Sequence, residues 1–294
     1  MSNITNNMVM MRNSAFDEST LNLATGTTEI TGLELSNTQL YSNSEIFRTP
    51  TLINAQLNMF FSEISFVSGL VLWRHNLSAT ATLQWRGYAS SDLSGTPVFD
   101  SGVVNAIDIK NLGEMNFGIE PLGANIYDNS AFTSRFTELW LKNNNEQFEP
   151  VAVQSQSIVI NDPDNLDGYI DLTRIYNGLA QSPKVNFSYG AKLSFEATSE
   201  NGVLTADGSY HTIKSPVVRN TELNLNWITE IERSAFIEFF ALTGIHQDFY
   251  ISLYPNERGQ KRRDNAFAAK CKSIPSSTHN FYNNYLLPLQ VREV

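Results

Sequence analysis

The segment Gly69–Tyr88, GLVLWRHNLSATATLQWRGY, decides how the rest of the chain is read. Its first part, Leu70-Val71-Leu72-Trp73, is apolar on both faces, the pattern of a strand covered on two sides. Its last part alternates: Ala79, Ala81, Leu83 and Trp85 fall on one face, and Thr80, Thr82, Gln84 and Arg86 on the other. Successive side chains of a strand point to opposite faces, so this alternation predicts a half-buried strand. The polar corner His75-Asn76-Leu77-Ser78 joins the two as a hairpin-like pair. Trp73 and Trp85 then supply much of the apolar area that closes a sandwich.

Around this segment, Asn, Ser and Thr separate short aromatic and β-branched runs, a pattern of strands and loops. The 294 residues suffice for one large all-β unit or two ordinary domains. With 41% hydrophobic and 17% charged residues, the chain is too apolar to be disordered. A net charge of -10 argues against nucleic acid or an anionic membrane surface as partner. The single Cys271 excludes an intrachain disulfide framework and cannot build a zinc site alone. No apolar run reaches the roughly 18–20 residues of a membrane span, so no membrane insertion is expected. The first 20 residues lack the basic start and apolar core of a secretory leader, which predicts synthesis in a cytoplasm.

Along the chain, residues 1–30 are polar apart from Met8 to Met11. They read either as a frayed end or as an arm that orders against a neighbouring subunit. Residues 31–215 carry short strands, the clearest at Val151 to Ile160. Asp162-Pro163 and Asp167-Gly168 are turn chemistry, and Tyr169-Ile170-Asp171-Leu172 restarts an extended segment. Asn201-Gly202 is a two-residue hairpin signal that predicts pairing of Leu193–Glu200 with Val203 and its successors. In residues 216–294, Leu223, Leu225 and Trp227 alternate in a strand. Thr229 and Glu232 then form a capping box, and Ile231, Ala235, Phe236, Phe239 and Leu242 recur at helical spacing as far as Gly244. Further strands are expected at Phe249–Tyr254, Ala266–Ile274 and Leu286–Glu293. The predicted fold is mainly β: a jelly-roll β-sandwich over 31–215 with a small C-terminal α+β unit over 216–294 containing one clear helix.

No catalytic set stands out, and no enzyme activity is expected. His75, His211, His246 and His279 show neither metal-ligand spacing nor a serine elbow beside them. Asp162, Asp164, Asp167 and Asp171 invite a calcium loop. The EF-hand pattern fails, because aligned on Gly168 it meets Pro163 and Arg174 where carboxylates are needed. Turn-forming aspartates remain, with Ca2+ in another geometry as the alternative. The basic stretch with Arg258, Lys261, Arg262 and Arg263 is either a solvated hairpin tip or a contact to an acidic neighbouring subunit. Cys271 reads as a small buried residue. No glycine-rich phosphate cradle precedes a helix, and no cofactor or metal is expected.

Several short motifs resemble those of tailed-bacteriophage tail-tip and baseplate proteins of the distal-tail kind. They are Arg74–Ser78 with the alternating strand to Arg86, Asp162–Ile170 leading to Arg174-Ile175-Tyr176-Asn177-Gly178, and Ile251-Ser252-Leu253-Tyr254-Pro255. The resemblance implies a galactose-binding-like jelly roll in a non-enzymatic virion structural protein. It further implies a homo-oligomer forming a ring or hub around the tail axis with other phage tail proteins as partners, located in the virion after assembly in the host cytoplasm. The alternative is a carbohydrate-binding module that attaches the virion to a host surface glycan. Tyr88, Tyr127, Tyr169 and Tyr176 are then the expected rim contacts, with Trp73, Trp85, Trp140 and Trp227 placed in strands.

Overall fold

The computed structural model describes residues 7–42, 44–107, 135–144, 147–197, 202–204, 206–207, 209–212, 217–257 and 260–294. The chain opens with β1 (Val9–Arg12), α1 (Ser14–Asp17), β2 (Thr20–Leu23), β3 (Phe47–Thr49), β4 (Ala55–Val67), β5 (Gly69–His75) and β6 (Thr82–Tyr88). Next come β7 (Phe99–Asp100), β8 (Val104–Asn105), β9 (Phe136–Trp140), β10 (Val151–Asn161), β11 (Ile170–Gly178) and β12 (Ala180–Gln181). The rest holds β13 (Lys192–Ala197), β14 (Gly202–Leu204), β15 (Tyr210–Thr212), β16 (Val217–Ile228) and α2 (Glu230–Thr243). It ends with β17 (Phe249–Ser252), α3 (Gln260–Asn265), β18 (Ala266–Cys271), β19 (Thr278–Phe281) and β20 (Asn284–Glu293).

Two compact units result: Met1–Ser182 with Phe249–Phe267, and Pro183–Asp248 with Ala268–Val294. These limits are drawn differently from 31–215 and 216–294, since Pro183 onward groups with the tail and β17 groups with the first unit.

The first unit is a jelly-roll β-sandwich. One sheet runs β2-β4-β10-β6-β7 with β8 beside β6, and the other runs β3-β11-β5-β9. Leu57, Met59, Leu70, Leu72, Leu83, Trp85, Ile158, Ile160 and Ile175 belong to its shared core. The alternation holds from Ala81 onward, with Ala81, Leu83, Trp85 and Gly87 buried and Thr82, Gln84 and Arg86 half-buried, whereas Ala79, expected on the buried face, is exposed in the turn before β6. β5 and β6 are not a hairpin pair. β5 pairs with β11 and β9, whereas β6 pairs with β10, so the corner at 75–78 carries the chain from one sheet to the other. A strand apolar on both faces needs cover on both sides, and β5 finds it between the sandwich core and a further layer.

That layer is β12-β1-β17, and it corrects the expectation of an arm at the amino terminus. Met8, Val9, Met10 and Met11 are fully buried, and Val9 to Arg12 pair antiparallel with Phe249 to Ser252. Tyr250 sits among Trp73, Phe136, Trp140 and Tyr176, with ring centroids 5.8–6.4 Å away. Gly178 is required here, because a Cβ at that position would lie 2.5 Å from the Arg12 carbonyl oxygen.

A chain of buried amides ties the layers together. Trp85 Nε1 donates to Gln156 Oε1 at 2.7 Å, and Gln156 Nε2 donates to Asn177 Oδ1 at 3.0 Å. Asn177 Nδ2 returns a bond to Gln156 Oε1 at 3.1 Å, and its backbone N–H donates to Asn13 Oδ1 at 2.7 Å. Asn13 Nδ2 donates to the Ile175 carbonyl at 2.7 Å and to Asp17, whose carboxylate receives the Arg174 guanidinium as a fork at 2.7 and 2.9 Å. Buried polar groups need partners, and here each amide supplies the next.

In the second unit β16 lies between β20 and β13, and β18 and β19 pair with β20. The hairpin expected at Asn201-Gly202 is built otherwise. β13 pairs with β16, from Lys192 opposite Glu222 to Ala197 opposite Val217, while Gly202–Leu204 pairs with Tyr210–Thr212. The long β16 offers six partners, more than the short run after Gly202 could. Arg219 forks onto Glu293 at 2.6 and 2.9 Å, both side chains nearly buried.

Helix α2 starts as expected. Thr229 and Glu232 form the capping box, and Gly244 ends the helix at φ 57°. Its inward face differs from the expected set. Phe236, Phe239, Phe240 and Thr243 are buried, whereas Ile231 and Leu242 are exposed. The aromatic set also has helical spacing and removes more apolar area from water, so it takes the core. Trp227, in β16 as predicted, is exposed.

Candidate functional site

The corner after β5 meets the loop after β10 at one rim of the jelly roll. Asp162 is fully buried, and its carboxylate accepts the Ser78 backbone N–H and Asn165 Nδ2, each at 2.9 Å, and the Ser78 hydroxyl. Asn165 and Gly168 close successive turns onto the carbonyls of Asp162 and Asn165. Asn76 spans the gap: Nδ2 donates to Asp167 Oδ2 at 3.0 Å and to the Tyr169 carbonyl at 2.9 Å, and Oδ1 accepts from Asp171 N–H at 2.8 Å. Asp162, Asp164 and Asp167 lie in the turns expected of them, whereas Asp171 is part of strand β11. Asp164 receives the Thr80 hydroxyl and Asp171 receives Arg48, so the four carboxylates face separate partners rather than one centre.

Arg48 completes the rim. Its Nε and terminal nitrogen donate to Asp171 at 2.6 and 2.7 Å, and the guanidinium carbon stands 3.8 Å from the Tyr169 ring centroid. The hydrogen bonds and charge of Asp171 raise the Arg48 pKa above its ordinary value. A guanidinium has five N–H donors, and two are committed here. Half-buried Tyr169 and exposed Asp167 lie beside it. An aromatic ring, a fixed planar cation, an amide and a carboxylate thus share one edge of the sandwich.

The other expected contacts are placed elsewhere. Tyr176 is 1% exposed and packs on Tyr250, so it cannot touch a glycan. Tyr88 is half-buried opposite Ser155 in the β6–β10 ladder. Tyr127 lies outside the described residues, as does Arg258. The described part of the basic stretch, Gln260–Asn265, is a short helix rather than a hairpin tip. Lys261 pairs with Glu257 at 2.8 Å and stands 4.3 Å from the Tyr254 ring centroid. Arg263 pairs with Asp264 at 3.1 Å, and Arg262 turns inward, 3.7 Å from Glu138 Oε2.

Glu138 had no signal in the sequence, yet its side chain is fully buried and accepts the Tyr250 hydroxyl at 2.6 Å. Burial pushes its carboxyl above the ordinary range, against the pull of Arg262. His75 is structural: Nδ1 accepts the Leu77 N–H at 3.2 Å, and the other nitrogen meets the Thr137 hydroxyl at 2.9 Å. Burial, helped by the charge of Arg135, lowers its pKa to about 3, so it stays neutral. Cys271 is buried, which pushes its thiol up to about 12.

No protein family and no curated protein matches the chain. Among solved structures it is similar to a family 32 carbohydrate-binding module from C. perfringens NanJ in complex with galactose, at 11% identity and TM-score 0.35, over 58% of this chain and 97% of that one. It is similar to a fucose-binding module of Streptococcus pneumoniae at 8% identity and TM-score 0.35, over 57% and 98% of the two chains. It is also similar to a chitosan-binding module from Paenibacillus sp. IK-5 at 11% identity and TM-score 0.35, over 56% and 98%. The first unit is a β-sandwich of two antiparallel sheets, and the solved structures it is similar to are carbohydrate-binding modules.

Proposed function

We propose that this chain is a non-enzymatic attachment protein whose jelly-roll unit binds carbohydrate at the rim formed by Arg48, Asn76, Asp167 and Tyr169. The observation that carries it is the Arg48 fork, fixed by Asp171 and laid against Tyr169 with donors to spare. A pyranose presents an apolar face and a fringe of hydroxyls. An aromatic ring meets the first, and planar charged or amide groups meet the second. Groups already held in place lose little entropy on binding, which favours affinity from few contacts. The ligand class is a host surface glycan. Titration against an array of envelope glycans tests this, with Arg48→Ala and Tyr169→Ala compared at matched melting temperature. Each substitution is expected to weaken binding about tenfold, the effect of ~1.4 kcal/mol. Absence of binding to every glycan, or binding untouched by both changes, would remove the proposal.

A second reading is favoured by the second unit, where Trp227, Ile231, Leu242, Ile274, Phe281 and Tyr282 are exposed. Large exposed apolar side chains mark contact surfaces when they gather. They suit a structural subunit of a phage tail tip or baseplate, held by protein–protein contacts in a ring or hub around the tail axis. The two readings are compatible, since a glycan-binding module has to be displayed from something. Mass spectrometry of virions and sedimentation of the pure chain test the second. A chain absent from virions and monomeric at all concentrations would rule it out.

A further inference from the structure

Strand β13 ends its sheet. It pairs with β16 on one side, and among the described residues no strand pairs with it on the other. Opposite residues in a ladder share a face, so Leu193 and Phe195 lie on the side of Thr221 and Arg219. Lys192 and Ser194 lie on the other side, with Glu222 and Asn220, and Glu196 follows them by alternation. Thr221 and Arg219 are each 1% exposed, whereas Leu193 is 36% and Phe195 54% exposed. Cover on the inward face thus stops at β16, one strand short of the edge. An open edge also presents a row of backbone N–H and C=O groups to a further strand.

Edge strands commonly use charge to turn partners away. Here Lys192 and Glu196 have opposite sign and stand equally far from Ser194. An antiparallel copy centred on Ser194 sets Lys192 opposite Glu196, Leu193 opposite Phe195 and Ser194 opposite itself, twice over about a two-fold axis. Opposite charges, and an aromatic beside an aliphatic, are cross-strand pairs that stabilise a ladder. Glu196 is already held for this role: it accepts Asn220 Nδ2 at 2.9 Å and lies 3.8 Å from Arg292 Nε. Lys192 in turn stands opposite Glu222. Across the seam the outer face then reads Arg292, Glu196, Lys192 and Glu222, alternating in sign. Other registers lose this match. Centred on Leu193, pairing sets Lys192 against Ser194, and centred on Phe195 it sets Glu196 against Ser194. Centring between two residues brings the polar face of one copy beside the inward face of the other.

We propose that β13 is a self-docking edge, to which a second copy of this chain adds its own β13 antiparallel about Ser194. The sheet then continues through a closed two-fold contact, a strand addition whose affinity comes from main-chain hydrogen bonds and whose register comes from the two charge pairs. A strand pair this short buries little area, which places the contact in the weak, reversible class. The seam goes beyond both the glycan and the virion reading and depends on neither.

The test is sedimentation velocity of the full chain over a range of concentrations, where a reversible dimer is expected. Lys192→Glu or Glu196→Lys alone puts two like-charge pairs into the seam and should weaken the dimer about tenfold or more. Mixing the two variants restores association, because each then meets the opposite charge in the other. Register is read by cross-linking: Ser194→Cys places two thiols directly opposite, where ladder spacing permits a disulfide with oxidised glutathione. Leu193→Cys, which faces Phe195 of the other copy, should link about tenfold more slowly or not at all. The native Cys271 is buried and does not compete. Positions 192–196 are exposed, and an unchanged melting temperature confirms that the variants fold. A wild-type chain monomeric up to about 0.3 mM, a dimer indifferent to either charge reversal, or a mixture no tighter than its components would overturn the proposal. So would Leu193→Cys linking as fast as Ser194→Cys. Virion incorporation and glycan titration are read on the same variants, so the seam can fail while either reading stands, and the reverse.

Discussion

Replacing Gln156 by leucine conserves volume and removes the centre of the amide chain. Trp85 Nε1 loses its acceptor at 2.7 Å, and Asn177 Oδ1 loses its donor at 3.0 Å. Asn177 Nδ2 keeps a longer bond to the Gly69 carbonyl at 3.3 Å. Two buried polar groups are therefore left without partners, at ~1–3 kcal/mol each, or about 2–6 kcal/mol in all. Against a stability of about 5–15 kcal/mol, that is a large fraction. Urea unfolding followed through the buried tryptophans should show a lower midpoint with little change in slope. Adding Asn177→Leu removes the oxygen that was stranded, so the double variant should lose less than the sum of the two single changes. A Gln156→Leu chain within about 0.5 kcal/mol of wild type, or strict additivity in the double variant, would refute the account of the amides as one coupled unit.

Gly178→Ala places a methyl group 2.5 Å from the Arg12 carbonyl. Strand β1 must shift, and thermal melts should show a loss of about 1–3 kcal/mol, typical of overpacking. Removing residues 1–12 deletes Met8, Val9, Met10 and Met11, all fully buried. At ~1.5–3 kcal/mol per side chain the loss rivals the whole stability, so circular dichroism should report an unfolded or aggregated first unit. Burial raises the Glu138 carboxyl above its ordinary 4.5, so the folded state holds its proton more tightly than the unfolded state does. The stability that Glu138 contributes is full below 4.5 and is lost as pH rises through the raised value. Melts across this range should therefore show Glu138→Gln gaining on wild type as pH increases, and a constant difference would contradict the assignment.

What the sequence made legible was local. The alternation of β6, the capping box at Thr229 and Glu232, and the turns between Asp162 and Gly168 depend on neighbours in the chain, and the structure contains all three. What failed was long-range. Whether β5 and β6 share a sheet is decided by β10 and β11, and nothing within Gly69–Tyr88 encodes that choice. Met8 to Met11 resembled a loose cluster because their cover, β17, comes from the far end of the chain. Helix α2 offered two stripes of the right period, and bulk selected the aromatic one. At the rim, Tyr169 was among the expected contacts, but Arg48 is a lone charge in a short strand. Only its pairing with Asp171 across the β3–β11 ladder brings it there.

The return of Phe249–Phe267 to the first unit also governs the order of events during synthesis. Tyr250 fills the aromatic ring set of Trp73, Phe136, Trp140 and Tyr176, and β17 is the partner of β1. A nascent chain that has emerged only as far as Ser182 therefore has two sheets but no lid for one of them. The ribosome must deliver the intervening stretch before the earlier domain can close, and that interval is when a chaperone or a protease would find it.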